Sequence, residues 1–273
     1  MGKFDGILMI TDLDGTLLRT DKSISQENKD AIAAFEAEGG LFTFVTGRPH
    51  FAMAPVLEQL TPKHPIGCLN GGGVCDMATG EFIHRSLLSR DAFCLVSYIE
   101  NLLPNVGFEF VTFQTCYLYR SNEVTEELRR FERLPGNYVD SFDVPGDLCK
   151  ILFAVDKETM PALMEALAAN PESQKYALMR TAAEYYELLP KGCHKGNCLS
   201  ALAKHFGIPK SKTIAIGDNS NDAPMLKEAG LGIAVANATE DTKAAADLVL
   251  SVTNEEHAIA EIIRQLGSGE LRI

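Results

Sequence analysis

Short apolar runs and polar turns alternate along this chain, and the period of the apolar positions changes twice. Near the N-terminus, Ile7-Leu8-Met9-Ile10 is a continuous apolar run that stops at Thr11-Asp12, the pattern of a strand buried on both faces. Ser25 can cap a helix running through Glu38, with Ile32 and Phe35 facing inward and Gly39-Gly40 at its end. A second strand over residues 41–45 leads into Thr46-Gly47-Arg48-Pro49, and Pro49 suits the first turn of a helix reaching about Leu60. A third strand, near residues 66–69, stops at Asn70-Gly71-Gly72-Gly73. The C-terminal third keeps this rhythm: a helix over 196–206, a strand over 213–216 ending at Gly217-Asp218, a helix over 222–229, a strand over 231–235 and a last helix over 254–266. Strands alternating with helices predict a parallel sheet covered on both faces.

Residues 84–188 follow a different order. Ser89 can cap a helix that places Phe93, Val96, Ile99 and Leu103 at helical spacing. Strand-like pieces over 108–112 and 116–120 come next, then a charged helix over 123–134, a strand over 150–155 and a helix over 157–169. Residues 176–180 and 185–189 read as a hairpin. The expected fold is therefore α/β: a doubly wound parallel, Rossmann-like sheet core from residues 1–83 and 189–273, with an inserted α+β domain over 84–188. The two ends of such an insertion are expected to lie close together at the surface.

Composition narrows the function. The chain has 273 residues and a net charge of −12, which argues against nucleic acid or an anionic membrane surface as partner. Any phosphate chemistry must then rest on local cations. No apolar run approaches the roughly 20 residues a membrane helix needs. The seven cysteines form no disulfide framework, and no signal-peptide pattern opens the chain, so a reducing cytoplasm is expected.

The candidate chemistry sits at strand ends, where doubly wound sheets bind ligands. Asp12-Leu13-Asp14-Gly15-Thr16 follows the first strand, Thr46-Gly47-Arg48 the second, and Gly217-Asp218-Asn219-Ser220-Asn221-Asp222 a C-terminal one. Asp12 and Asp14 lie two residues apart, so an extended segment sends both side chains to one side. An ionised carboxylate at Asp12 can attack phosphorus without a helper base, and Asp14 could protonate the leaving alkoxide and then deprotonate the attacking water. Gly15 permits a sharp turn there, and Thr16 can hydrogen-bond within it. Two carboxylates and a phosphate repel one another unless a hard cation joins them, and Mg²⁺, which takes one or two carboxylates plus phosphate and water, fits better than Ca²⁺. Asp218 is the natural further metal contact. Thr46 and Gly47, at a helix start, and Lys195 supply donors for the phosphoryl group. Cys193-His194 with Cys198 is a poor zinc set, because two of its members are adjacent.

With these motifs in order, the chain resembles the haloacid dehalogenase superfamily and, within it, the Cof-like phosphatases with a large α/β cap. The match rests on Asp12-Leu13-Asp14-Gly15-Thr16, Thr46-Gly47-Arg48, Asn70-Gly71-Gly72, Lys195-Gly196, the Gly217–Asp222 segment and Ala234-Val235-Ala236-Asn237-Ala238. The resemblance implies Asp12 as nucleophile and Asp14 as general acid/base. It implies Mg²⁺ on the side chains of Asp12 and Asp218 and the carbonyl of Asp14. Phosphate contacts would fall on the Leu13 N–H, Thr46, Gly47, Lys195 and Asn221, with Arg48 as a substrate contact and Asp222 orienting Lys195 or the metal. Residues 84–188 would be the cap that selects a small phosphorylated metabolite such as a sugar phosphate. Asn254-Glu255-Glu256-His257 departs from the family's usual Asn-x-Asp-Gly, outside the catalytic set. Two alternatives stay open at this point: a phosphosugar mutase using the same aspartyl chemistry, and a non-catalytic phosphometabolite sensor. The paired Asp12 and Asp14 speak against the sensor.

Overall fold

The computed structural model describes residues 2–273, and the chain divides into two compact units. The first takes residues up to Gly47, Val56–Arg85 and His194–Ile273; the second takes Arg48–Pro55 and Ser86–Cys193.

In the first unit five parallel strands stand in the order Leu248–Val249, Leu231–Ala234, Thr213–Gly217, Leu8–Thr11, Leu41–Phe44. Leu8, Met9 and Ile10 are fully buried in the interior strand Leu8–Thr11, as are Ile214, Ala215 and Ile216 in the middle strand beside it. Each large apolar side chain removed from water in this way contributes about 1.5–3 kcal/mol. From Leu8–Thr11 the chain moves through the helix Gln26–Ala37 to a strand on one side. From Thr213–Gly217 it moves through Ala223–Glu228 to a strand on the other. Right-handed crossovers in opposite directions put these helices on opposite faces, and the reversal falls between the two central strands. A crevice opens at such a reversal, and Asp12 and Asp218 stand at its two lips. This is the doubly wound parallel sheet expected from the sequence.

Several local expectations are corrected. Ser25 does cap the first helix, accepting from the Asn28 N–H, but no helix runs from Pro49 to Leu60. A 3₁₀ turn, His50–Ala52, and a four-residue helix, Ala54–Leu57, take its place. Pro55 is the reason, since it lacks the N–H a continuous helix needs and crowds the preceding turn. The last helix likewise begins at Ala258, because His257 sits in the left-handed region at φ 61° after a short 3₁₀ turn. The third strand forms at Ile66–Cys68, but it pairs antiparallel with Gly73–Cys75, which in turn pairs with Phe82–Arg85, in a small separate sheet.

The second unit carries a six-stranded sheet in the order Tyr176–Arg180, Tyr185–Pro190, Leu148–Ala154, Gly107–Thr112, Cys116–Tyr119, Tyr138–Val139. Residues 176–180 and 185–190 form the expected antiparallel hairpin. One face packs Phe108, Phe110, Ile151, Phe153 and Leu188 against the helices Phe93–Leu102 and Met160–Ala169. Strand alternation turns Glu109, Lys150 and Glu187 to the other face, where all three are nonetheless buried. Among the described residues, no helix is long and apolar enough to cross a membrane.

Candidate active site

Asp12 leaves the first strand with its N–H donating to the Ile216 carbonyl at 2.8 Å, which ties the two central strand ends together. The residue is 5% exposed, and its carboxylate accepts from Lys195 Nζ at 2.6 Å. The same ammonium donates to Asp222 Oδ1 at 2.6 Å, so one lysine bridges two acids. Lys195 opens the helix Lys195–Phe206 and is 1% exposed. Burial alone would lower its pKa, but Asp12 and Asp222 hold it above the usual lysine range.

Asp222 is fully engaged. Its Oδ2 accepts from the backbone N–H groups of Asp218 and Asn219, both at 3.0 Å, while Oδ1 takes Lys195. The segment after Gly217 thus folds back around one carboxylate, which fixes where Asp218 points. Asp218 Oδ1 accepts from Thr16 Oγ1 at 2.6 Å. Thr16 was expected to bond within its own turn; instead its hydroxyl reaches across to the other strand end. Gly15 explains how the two loops come so close: its φ is +89°, and a Cβ there would lie 2.4 Å from Asp218 Oδ2.

Asp12, Asp218 and Asp222 bring carboxylate oxygens within 4.8 Å of one another. Burial first, then repulsion from Asp222, pushes Asp218 up to about 6. Asp12 is raised well above the usual carboxylate range by burial, then by Asp222 and Asp218, with Lys195 pulling the other way. Three acids against one ammonium leave an excess negative charge that a divalent cation would match. Oxygen donors in this number suit a hard ion. Since Asp222 already holds three donors, Asp12 and Asp218 are the side chains with capacity left for a metal. Among the described residues this is the one group of metal-competent side chains. Among the described residues, Cys193 and Cys198 belong to no such group. The Cys193 thiol is pushed up to about 12 by burial, and Cys198 Sγ donates to the Gly73 carbonyl.

The other sequence-designated residues fall as follows. Asp14 is half-buried and pairs with Lys22 at 2.9 Å, their side chains 37% and 40% exposed. Leu13 is buried, its carbonyl accepting from Leu18 N–H at 2.8 Å. Thr46 is buried; its N–H donates to the Gly67 carbonyl and its own carbonyl accepts from the Asn70 N–H. Gly47 lies against Asn70, whose Nδ2 would stand 2.9 Å from a Cβ at 47. Asn221 Nδ2 donates to Asn70 Oδ1 at 3.0 Å. Arg48 belongs to the second unit, 6% exposed, with its guanidinium 5.3 Å from the Phe131 ring centroid. Lys22 went unnoticed in the sequence, being one lysine in a polar loop. Asn237, whose Nδ2 donates to the Gly15 carbonyl, carries no signal in the sequence beyond its place in the Ala234–Ala238 motif.

The sequence pattern of the haloacid dehalogenase-like hydrolases matches residues 9–263. Phosphatase YwpJ of Bacillus subtilis is 30% identical over 288 aligned residues, covering 95% of this chain and 99% of its own. The 5-amino-6-(5-phospho-D-ribitylamino)uracil phosphatase YwtE of the same organism is 31% identical over 284, covering 95% and 97%. A solved haloacid dehalogenase-like hydrolase from B. subtilis superposes with a TM-score of 0.81 at 29% identity, over 95% of this chain and 99% of that one.

Proposed function

The chain belongs to the haloacid dehalogenase-like hydrolase family and is a phosphatase, and from that premise we propose that it hydrolyses a small phosphorylated metabolite through a phosphoryl-aspartate on Asp12. The observation that carries this reading is the buried Asp12 carboxylate at the sheet's reversal point, held by Lys195 beside Asp218 and Asp222.

Asp12 attacks phosphorus, and the bond from phosphorus to the leaving oxygen breaks. Asp14 gives its proton to that oxygen, then takes one from the water that cleaves the acyl phosphate, which restores Asp12 and frees phosphate. Lys22 occupies Asp14 Oδ1 at 2.9 Å, so the acid step requires Asp14 to turn away from Lys22. Lys195 offsets the charge of the incoming phosphoryl group, and Thr46, Gly47, Asn221 and the Leu13 N–H donate to its oxygens. Mg²⁺ is the metal we assign to Asp12, Asp218 and the Asp14 carbonyl; bound there, it would supply the charge that lets two carboxylates and a phosphate share one pocket. Asp222 positions Lys195 and the 218–219 backbone.

For substrate we propose a sugar or polyol phosphate, in keeping with the phosphoribityl compound for which YwtE is named. The inserted unit, Ser86–Cys193, would act as the cap that selects it, with Arg48 contributing a substrate contact. The seven cysteines, all but Cys94 buried, fit the reducing cytoplasm we assign. Asp12→Asn should release no phosphate from a small aryl phosphate in Mg²⁺ while remaining folded. Turnover at the wild-type rate in that variant would refute the assignment.

A further inference from the structure

Behind the proposed phosphate loops runs a turn that no catalytic role explains. Leu69, Asn70 and Gly71 are three successive residues in the left-handed region, at φ 57°, 51° and 106°. Glycine adopts this freely and asparagine tolerates it, but leucine does so only at a cost. Such a run persists where the surroundings over-determine it, and those places cluster at functional sites. Asn70 is fully buried, in a position where a short polar side chain must be satisfied by its neighbours.

Its neighbours are three separate loops. The Asn70 N–H donates to the Thr46 carbonyl at 3.1 Å, and the Asn70 carboxamide rests on the bare α-carbon of Gly47. Asn70 Oδ1 accepts from Asn221 Nδ2 at 3.0 Å. One residue later, a Cβ on Gly71 would lie 2.0 Å from the carbonyl oxygen of His194, immediately before Lys195. The turn therefore touches the loop after the second strand, the loop after Thr213–Gly217, and the start of the Lys195 helix. Asn221 gives one amide hydrogen to Asn70 and keeps the other, and its own Oδ1 is buried without a partner. That buried oxygen calls for a donor, and the remaining amide hydrogen is the group a phosphate oxygen can accept from.

We propose that Asn70 is a positioning residue of the phosphate site, acting through its carboxamide on Asn221 and on the Thr46–Gly47 loop. This rests on the reading of Thr46, Gly47, Lys195 and Asn221 as phosphate contacts. The side chain sets the face Asn221 presents, and the left-handed backbone holds the side chain in place. Loss of the carboxamide should act on ligand affinity and on turnover through Asn221, with little effect on the fold.

The test is a double-mutant cycle on the full chain in Mg²⁺ with Asn70→Gly, Asn221→Ala and the pair, alongside Asn70→Ala and Asp12→Asn. Glycine keeps the backbone conformation and removes only the carboxamide; alanine removes both. Two readouts are taken: kcat and KM for a small aryl phosphate, and calorimetric affinity for inorganic phosphate. Asn70→Gly should lose roughly tenfold in kcat/KM and weaken phosphate binding by a similar factor, as expected for one hydrogen bond to a buried ligand contact. The double variant should lose no more than about twofold beyond Asn221→Ala, because the two residues act in series. Losses that multiply in the pair would overturn the proposal. So would wild-type kinetics and phosphate affinity in Asn70→Gly with a defect confined to Asn70→Ala, which would leave a role for the backbone alone. Wild-type turnover in Asp12→Asn would instead remove the catalytic reading, and the cycle in phosphate affinity would still decide the positioning claim.

Discussion

Changing Glu109 to glutamine should make the second unit more stable at neutral pH and flatten its response to pH. Glu109 is 2% exposed on the strand Gly107–Thr112, and its Oε2 has no hydrogen-bond partner. The nearby cation, Lys150, donates to Glu187 at 2.9 Å. Burial first, then repulsion from Glu132, raises Glu109 from 4.5 to about 8, against the pull of Lys150. Between those values the folded chain carries a proton that the unfolded chain has released. Stability from this group is thus complete below 4.5 and is lost as pH rises toward 8. At pH 7 the gap above the unfolded value is about 2.5 units, or ~3 kcal/mol at about 1.4 kcal/mol per unit. Glutamine has nearly the same shape and no proton to take up, so Glu109→Gln should recover up to ~3 kcal/mol at pH 7 and less than ~1 at pH 5. All seven tyrosines (98, 117, 119, 138, 176, 185 and 186) lie in the second unit and the chain has no tryptophan, so tyrosine fluorescence reports this unit's unfolding alone. Urea curves recorded that way from pH 5 to 8 should converge at the acid end. Parallel curves for wild type and variant, or a less stable variant at pH 7, would show that Glu109 does not hold the proton.

Two further expectations concern the chemistry. Asp14→Asn should slow hydrolysis by roughly 10²–10⁴ for alkyl phosphates and by much less for aryl phosphates, whose leaving groups need little protonation; equal losses across a leaving-group series would dismiss the acid role. Chelation should abolish activity and Mg²⁺ restore it, while excess Ca²⁺ inhibits, because its looser geometry misplaces the Asp12 attack; full turnover after exhaustive chelation would exclude a metal role.

Much of the fold was legible because its signals are local. The run Leu8–Ile10 is apolar throughout because it is covered on both faces, and Ser25 caps its helix through a bond three residues away. Where a single residue overrode the pattern, the reading failed: Pro55 divides what looked like one helix, and the left-handed His257 delays another. The acids at the strand ends could be picked out because strand ends converge in a parallel sheet. Apart from Asp222 with Lys195, their partners could not. Nothing in the spacing pairs Asp14 with Lys22, or sends the Thr16 hydroxyl to a residue about two hundred positions on. Those contacts depend on how loops turn, and loops carry no periodicity. Glu109 was hidden for a different reason. In the strand reading it was one polar residue between Phe108 and Phe110, and alternation normally sends such a residue to water.

The pairing of Leu8 with Thr213 has a bearing on synthesis. Leu8–Thr11 leaves the ribosome well before its inner neighbour Thr213–Gly217, which is made about two hundred residues later. At ordinary elongation rates of about 5–20 residues per second, that is a wait of roughly 10–40 s. Every strand of the six-stranded sheet, by contrast, lies between Gly107 and Pro190 and is complete before Thr213 is made. Local partners close quickly and distant ones slowly, so the inserted unit can mature while Leu8–Thr11 still exposes an apolar, half-paired edge. The nascent chain is most open to aggregation in that interval, and there a holding chaperone would have most to grip.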